Sequence, residues 1–295
     1  MRRFLLRATR RLLKEIDLHL ERDGDSAGRV IAAGNGRETG IERFLRAAIL
    51  PDVARQYLDH HLPRLIRTFT LLPPNGGSAL ELGSYVYGAA VLERVLGYRA
   101  VRGAYYGAQP GSDRKTLEIA GQPVFELDID LFDAETHSYP YPDGTFDAVL
   151  CCEVIEHLLR DPMYLLFECR RVLKEGGLLL LTTPNAASLT SVARTLHGRK
   201  SPQLFSAYPA PGNADTPHVR EYTVSELAAV VTAGGFHTEV IFTEVLEGFE
   251  NTSWVKPLLE REGFDTAMRG EQAYCLARKQ STLPCERYPR WLYAI

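Results

Sequence analysis

Two carboxylates and an imidazole stand within five residues of one another at Glu153-Val-Ile-Glu156-His157. On a helical turn, positions i, i+3 and i+4 share one face, so these three side chains would converge. Such a group has two chemical uses. It can hold a divalent cation, its oxygens suiting Mg²⁺ or Mn²⁺ and its imidazole leaning towards Mn²⁺. Alternatively His157 acts by itself as a general base on a hydroxyl, with neighbouring carboxylates raising its basicity. A plainer reading leaves Glu153 as a pocket wall only. A second imidazole, His218 in Pro217-His-Val-Arg-Glu-Tyr-Thr223, can join the group or merely hydrogen-bond its surroundings.

Residues of this kind need rigid elements to aim them. Short apolar runs at 79–82, 124–127, 148–152 and 178–182 have the character of strands buried on both faces of a parallel sheet. Residues 99–106 form a weaker strand, and 240–245 and 272–277 complete the set. Helices fall between them. Residues 89–96 form one, and 161–173 another, with Asp161 as N-cap, Pro162 at the first position and a stripe of Leu165, Cys169, Val172 and Leu173. Thr223 caps a third through Val231, closed by Gly234-Gly235. Strands separated by helices predict an α/β, doubly wound, mostly parallel sheet, with the ligand crevice at the carboxyl ends of its strands. Glu81-Leu-Gly83-Ser84 closes the first strand, and a glycine there lets backbone approach a ligand.

The composition is that of an ordinary globular chain. It has 295 residues, 45% apolar and 24% charged, with a formal charge of −3, which gives no general electrostatic attraction to nucleic acid. The five cysteines show no metal-like spacing and predict reduced thiols in a cytoplasmic setting. No apolar run reaches the ~20 residues needed to span a bilayer. Residues 1–22 form a basic amphipathic stretch that can pack on its own domain, pack on a second copy in a homodimer, or lie on the inner face of an anionic membrane. Residues 23–40 read as a loop, 41–50 and 53–72 as helices, and 1–76 together as a helical preface. The main domain then covers 77–280, with a Pro-rich insertion at 186–222 that predicts a lid, and a tail at 281–295.

In order, Tyr141-Pro-Asp-Gly-Thr-Phe-Asp147, Cys152-Glu-Val-Ile-Glu-His-Leu158, Leu173-Lys-Glu-Gly-Gly177 and Thr182-Thr-Pro-Asn185 resemble class I S-adenosylmethionine-dependent methyltransferases. The tail Arg287-Tyr-Pro-Arg-Trp-Leu-Tyr293 is similar to bacterial members associated with polysaccharide and glycolipid gene clusters. The resemblance implies a seven-stranded Rossmann-like sheet and O-methylation of a small-molecule or glycolipid acceptor. It implies that Glu81, Gly83 and Ser84 cradle the methionine part of the cofactor, and that Cys152 and Glu153 line its pocket. Asp133, or Asp130, would meet the adenine amino group. Small-RNA and ubiquinone-pathway relatives carry a similar Glu-x-x-Glu-His group. By that likeness Glu153, Glu156, His157 and His218 would hold Mg²⁺ or Mn²⁺. Two departures stand out. Tyr85 and Tyr87 occupy glycine positions of the family loop, and no acidic residue ends the second strand, where the family holds the cofactor's ribose. They keep a catalytically silent binding protein open beside an enzyme acting on a sugar, a quinone precursor, an RNA end or a small natural product.

Overall fold

The computed structural model describes residues 35–199, 218–246 and 252–293. The basic stretch 1–22 and residues 200–217 of the 186–222 insertion lie outside them. The first helix, α1 (Asn35–Ala47), starts inside the segment expected to be loop, and a two-residue strand, β1 (Ala48–Ile49), replaces its expected last turn. Helix α2 (Asp52–Thr70) follows. Then come β2 (Ser78–Leu82), α3 (Val86–Arg94), β3 (Ala100–Tyr105), β4 (Gly111–Ile119) and β5 (Gln122–Leu131). The second half holds β6 (Phe146–Cys152), a 3₁₀ turn (Ile155–His157), α4 (Pro162–Val172), β7 (Leu173–Pro184) and α5 (Leu189–Leu196). It ends with α6 (Val224–Ala233), β8 (Phe236–Glu244), α7 (Val255–Arg261) and β9 (Gln272–Lys279).

The sheet has nine strands, not seven, in the order β1-β4-β5-β3-β2-β6-β7-β9-β8. The five from β5 to β7 are parallel, and β9 runs antiparallel to both β7 and β8. The two additional strands sit on one edge. There β4 makes an antiparallel hairpin with β5, turning at Ala120 (φ 52°) and Gly121 (φ 74°), the left-handed pair a type I′ turn demands. Only Leu117 of β4 is buried, so its sequence carries no apolar alternation and reads as loop.

The central strands alternate which face they serve. On β7, Leu178 and Leu180 join the cluster containing Ile41, Leu58, Phe69 and Leu92 from α1, α2 and α3. Leu179 and Leu181 join the opposite cluster, with Leu165, Leu166 and Cys169 of α4 and Leu227 and Val230 of α6. Each fully buried leucine contributes about 1.5–3 kcal/mol. The capping expected from sequence is present: Asp161 accepts from the Tyr164 N–H, and Thr223 forms a reciprocal box with Glu226. Among the described residues no helix is long and apolar enough to cross a membrane.

Candidate active site

The segment after β6 does not continue as a helical turn. Glu153 adopts φ +56°, a left-handed conformation unusual outside glycine, and only then does the chain enter the 3₁₀ turn. Glu153 and Glu156 therefore diverge, which corrects the shared face expected from spacing. One oxygen of Glu153 accepts from the Thr182 hydroxyl and the Gln272 amide, each at 2.8 Å, and lies 3.3 Å from the Arg64 guanidinium. Glu156 is fully buried; its Oε2 accepts from the Thr183 hydroxyl at 3.0 Å, while Oε1 has no hydrogen-bond partner among the described residues. Burial first, and then the charge of Glu153, push the Glu156 carboxyl well above the usual range.

His218 reaches this turn from far along the chain through backbone bonds. The Val219 and Arg220 N–H groups donate to the Glu156 carbonyl at 2.7 and 3.2 Å, and Tyr222 bridges in parallel to Asn185. The two imidazoles then meet edge to face with centroids 4.8 Å apart. One ligand atom each from Glu156, His157 and His218 falls within a 4.8 Å span, so three of the four expected metal ligands come together, without Glu153. Glu221 holds His218 Nδ1 at 3.1 Å.

His157, His218 and Glu221 line a cavity of 910 Å³ whose wall also includes Glu81, Gly83, Asp133, Cys152 and Glu153, while Glu156 is not part of that wall. Gly83 has φ +67°, the conformation for which glycine was expected. Ser84 stands behind the wall, buried, donating to Glu81 Oε2 at 2.6 Å. Of the two adenine candidates, Asp133 lines the cavity and Asp130 does not. Asp130 is committed to Arg102 at 2.7 Å and to the Tyr141 hydroxyl at 2.6 Å.

Burial raises Glu81 from an ordinary value of 4.5 to about 8. Its protonated form is thus favoured in the fold. The resulting stability is complete below pH 4.5 and drains away as pH rises towards 8. His61, lowered by burial from 6.5 to about 4, works in the opposite sense: its contribution is complete above 6.5 and is lost as pH falls through 4. Glu81→Gln is therefore expected to remove a decline in unfolding free energy between pH 4.5 and 8 that the wild type retains, His61 being common to both. Urea titrations of the two proteins across that window test this, and parallel curves would refute it.

The sequence reading missed the wall supplied by α2. Tyr57, His61, Arg64 and Thr68 line the cavity, and their i, i+4, i+7, i+11 spacing was the available signal for a second helical stripe beside Leu58, Leu62 and Phe69. Arg64 is buried to 4% exposure; it donates to the Tyr57 hydroxyl at 2.8 Å and pairs with Glu153. Burial pulls its pKa down, but Glu153 and Tyr57 more than offset that, so it stays charged. Tyr57, Tyr85 and Tyr87 form a run of rings at 5.6 and 5.5 Å spacing, so both tyrosines at the family's glycine positions belong to an aromatic wall.

Residues 104–181 match the methyltransferase domain family. A "probable S-adenosylmethionine-dependent methyltransferase" of Mycolicibacterium smegmatis is 31% identical over 115 residues, 38% of this chain and 36% of that protein. A ubiquinone biosynthesis O-methyltransferase of Thiobacillus denitrificans is 35% identical over 75 residues, covering 24% and 32% respectively. The chain thus spans about a third of the length of these curated relatives. A solved chain from the complex between the Haloferax volcanii Trm112 methyltransferase activator and a methyltransferase superposes with a TM-score of 0.51. It is 15% identical and covers 77% of this chain and 92% of its own. The fold is one that this chain shares with the superposed structure, and residues 104–181 are similar to the methyltransferase domain. Seven strands, β5-β3-β2-β6-β7-β9-β8, run on without a break, and β4 and β1 extend the sheet beyond β5.

Proposed function

We propose that this chain transfers a methyl group from S-adenosylmethionine to a hydroxyl oxygen, with a sugar or glycolipid as acceptor. The observation that carries the reading is the meeting of His157 and His218 on the wall of the Gly83 cavity, with the buried Glu156 directly beside them. The cofactor supplies an electrophilic methyl on a sulfonium. The chain must place an acceptor oxygen in line with that methyl and take its proton. His157 stands on the cavity wall for the second task. With Nδ1 of His218 held by Glu221, its Nε2 is the nitrogen left to meet a ligand.

The same three side chains suit a divalent cation. The Glu156 oxygen without a partner among the described residues is available to a cation that displaces its proton, and two imidazoles with one carboxylate favour Mn²⁺ or a similar ion over Mg²⁺. A cation there would lower the pKa of an acceptor hydroxyl and fix two neighbouring oxygens, as a vicinal diol of a sugar presents. The exposed ring of Tyr85 offers an apolar face for a sugar to lie on. A quinone precursor is the second reading, favoured by the similarity to the ubiquinone biosynthesis O-methyltransferase.

His157→Ala is expected to lower methyl transfer by about 10²-fold while leaving S-adenosylhomocysteine binding within a factor of two or so. Turnover on nucleotide- and lipid-linked sugars, beside calorimetry of the same variant, measures both. Activity lost on chelation and restored by Mn²⁺ would support the cation; indifference to chelation would leave His157 as a free base. Methylation of a ring-hydroxylated quinone precursor but no sugar would overturn the acceptor class.

A further inference from the structure

The strand order fixes what a bound cofactor crosses. The end of β3 lies between the end of β2, where Gly83 turns, and the end of β5, which leads to Asp133. Neighbouring strands are ~4.8 Å apart, so a ligand with its amino-acid end at Gly83 and its base at Asp133 must pass over β3. In S-adenosylmethionine and S-adenosylhomocysteine the group between those two ends is the ribose.

What β3 presents there is Tyr105-Tyr106-Gly107. Backbone bonds from Phe132 N to the Tyr105 carbonyl (3.1 Å) and from Gly107 N to the Phe132 carbonyl (3.3 Å) stitch this segment to the end of β5. Tyr106 is 53% exposed and lines the cavity. Among the described residues no carboxylate stands at this crossing. Asp113 lies on β4 against Lys115 at 2.6 Å, and Asp130 is held by Arg102 and Tyr141. The nearby acids of the cavity wall are already engaged. Glu81 takes the Ser84 hydroxyl, Glu135 accepts the N–H groups of Leu159, Arg160 and Asp161, and Glu153 holds Arg64, Thr182 and Gln272.

We infer that the cofactor's ribose is met by Tyr106 rather than by a carboxylate, so that this protein binds the nucleoside with little regard for its ribose hydroxyls. The inference rests on the cofactor reading proposed above. A carboxylate facing two vicinal hydroxyls makes charged hydrogen bonds, roughly twice as strong as neutral ones, and is left buried and unpaired when a hydroxyl is removed. A phenol forfeits at most one neutral bond, and its ring covers the sugar whether or not the hydroxyl is there.

Calorimetry of the full chain with S-adenosylhomocysteine and its 2′-deoxy and 3′-deoxy analogues tests this. Each analogue is expected to bind less than about tenfold more weakly than the parent, the span of a single neutral hydrogen bond. A loss of tenfold or more for either one would overturn the inference. Tyr106→Asp is expected to widen the gap, and a variant that binds the parent yet leaves the gap unchanged would show that the ribose lies elsewhere. No binding of S-adenosylhomocysteine to folded wild type would overturn the cofactor reading itself, and this inference with it.

Discussion

Replacing Gly83 with arginine is expected to abolish S-adenosylhomocysteine binding, with a loss of about 10³-fold or more set by steric fill. Two separate penalties meet at this residue. The backbone sits at φ +67°, which costs an L-residue other than glycine roughly 1–2 kcal/mol. A Cβ built there would also lie 2.9 Å from Val154 Cγ2, closer than packed carbons approach. Gly83→Ala meets only those two terms, which act on the free and bound protein alike, so it should lower stability by about 1–2 kcal/mol and weaken binding by less than about tenfold. Arginine adds a long cation to the wall of the cavity where the cofactor's own sulfonium would lie. Calorimetry of the three proteins gives the series, and thermal melting of the free proteins separates lost binding from lost folding. An arginine variant that folds and binds like wild type would mean that the cofactor does not lie on this loop.

The parts of this molecule that could be read from sequence are those whose cause is local. Asp161-Pro162 announces the start of α4 because a carboxylate cap and a proline each satisfy the first turn of a helix by themselves. The leucines of β7 announce a central strand because both faces of the sheet are covered by helices. Strand β4 was illegible for the complementary reason. Gly111–Ile119 carries Asp113, Arg114, Lys115 and Glu118; Arg114 pairs across the sheet surface with Glu126 and Asp128, and Lys115 pairs with Asp113 of its own strand, instead of meeting a core. Such a strand exists because β5 offers it a partner, which no window of sequence contains. Glu153 illustrates a different limit. Its type and spacing suggest a helical face, but its backbone is left-handed and its side chain meets three distant partners, Arg64, Thr182 and Gln272. The convergence of His157 and His218 was readable from resemblance alone, since the Glu156 carbonyl that ties them together has no sequence signature.

Arg64 ties α2 to the end of β6, and Arg64→Met is expected to destabilise the protein by about 3–5 kcal/mol. The guanidinium belongs to α2, outside the segment that matches the methyltransferase family, yet it ion-pairs with Glu153 at the end of β6. The two side chains are 5% and 19% exposed, so the pair is largely shielded from solvent. Removing the cation leaves the Glu153 carboxylate beside the buried Glu156 carboxyl with only the Thr182 hydroxyl and Gln272 amide to hold it. That uncompensated charge, more than the lost attraction, is the source of the cost, because a buried pair contributes little net stability over apolar residues of similar volume. Arg64→Met combined with Glu153→Gln should therefore recover part of the loss, a neutral amide being tolerated where an unpaired carboxylate is not. Urea midpoints for the wild type, the single variants and the double variant at one pH complete the cycle. A single variant that loses less than about 1 kcal/mol would reduce the pair to an ordinary surface contact. A double variant no more stable than Arg64→Met would instead place the cost in the vacated space between α2 and the sheet.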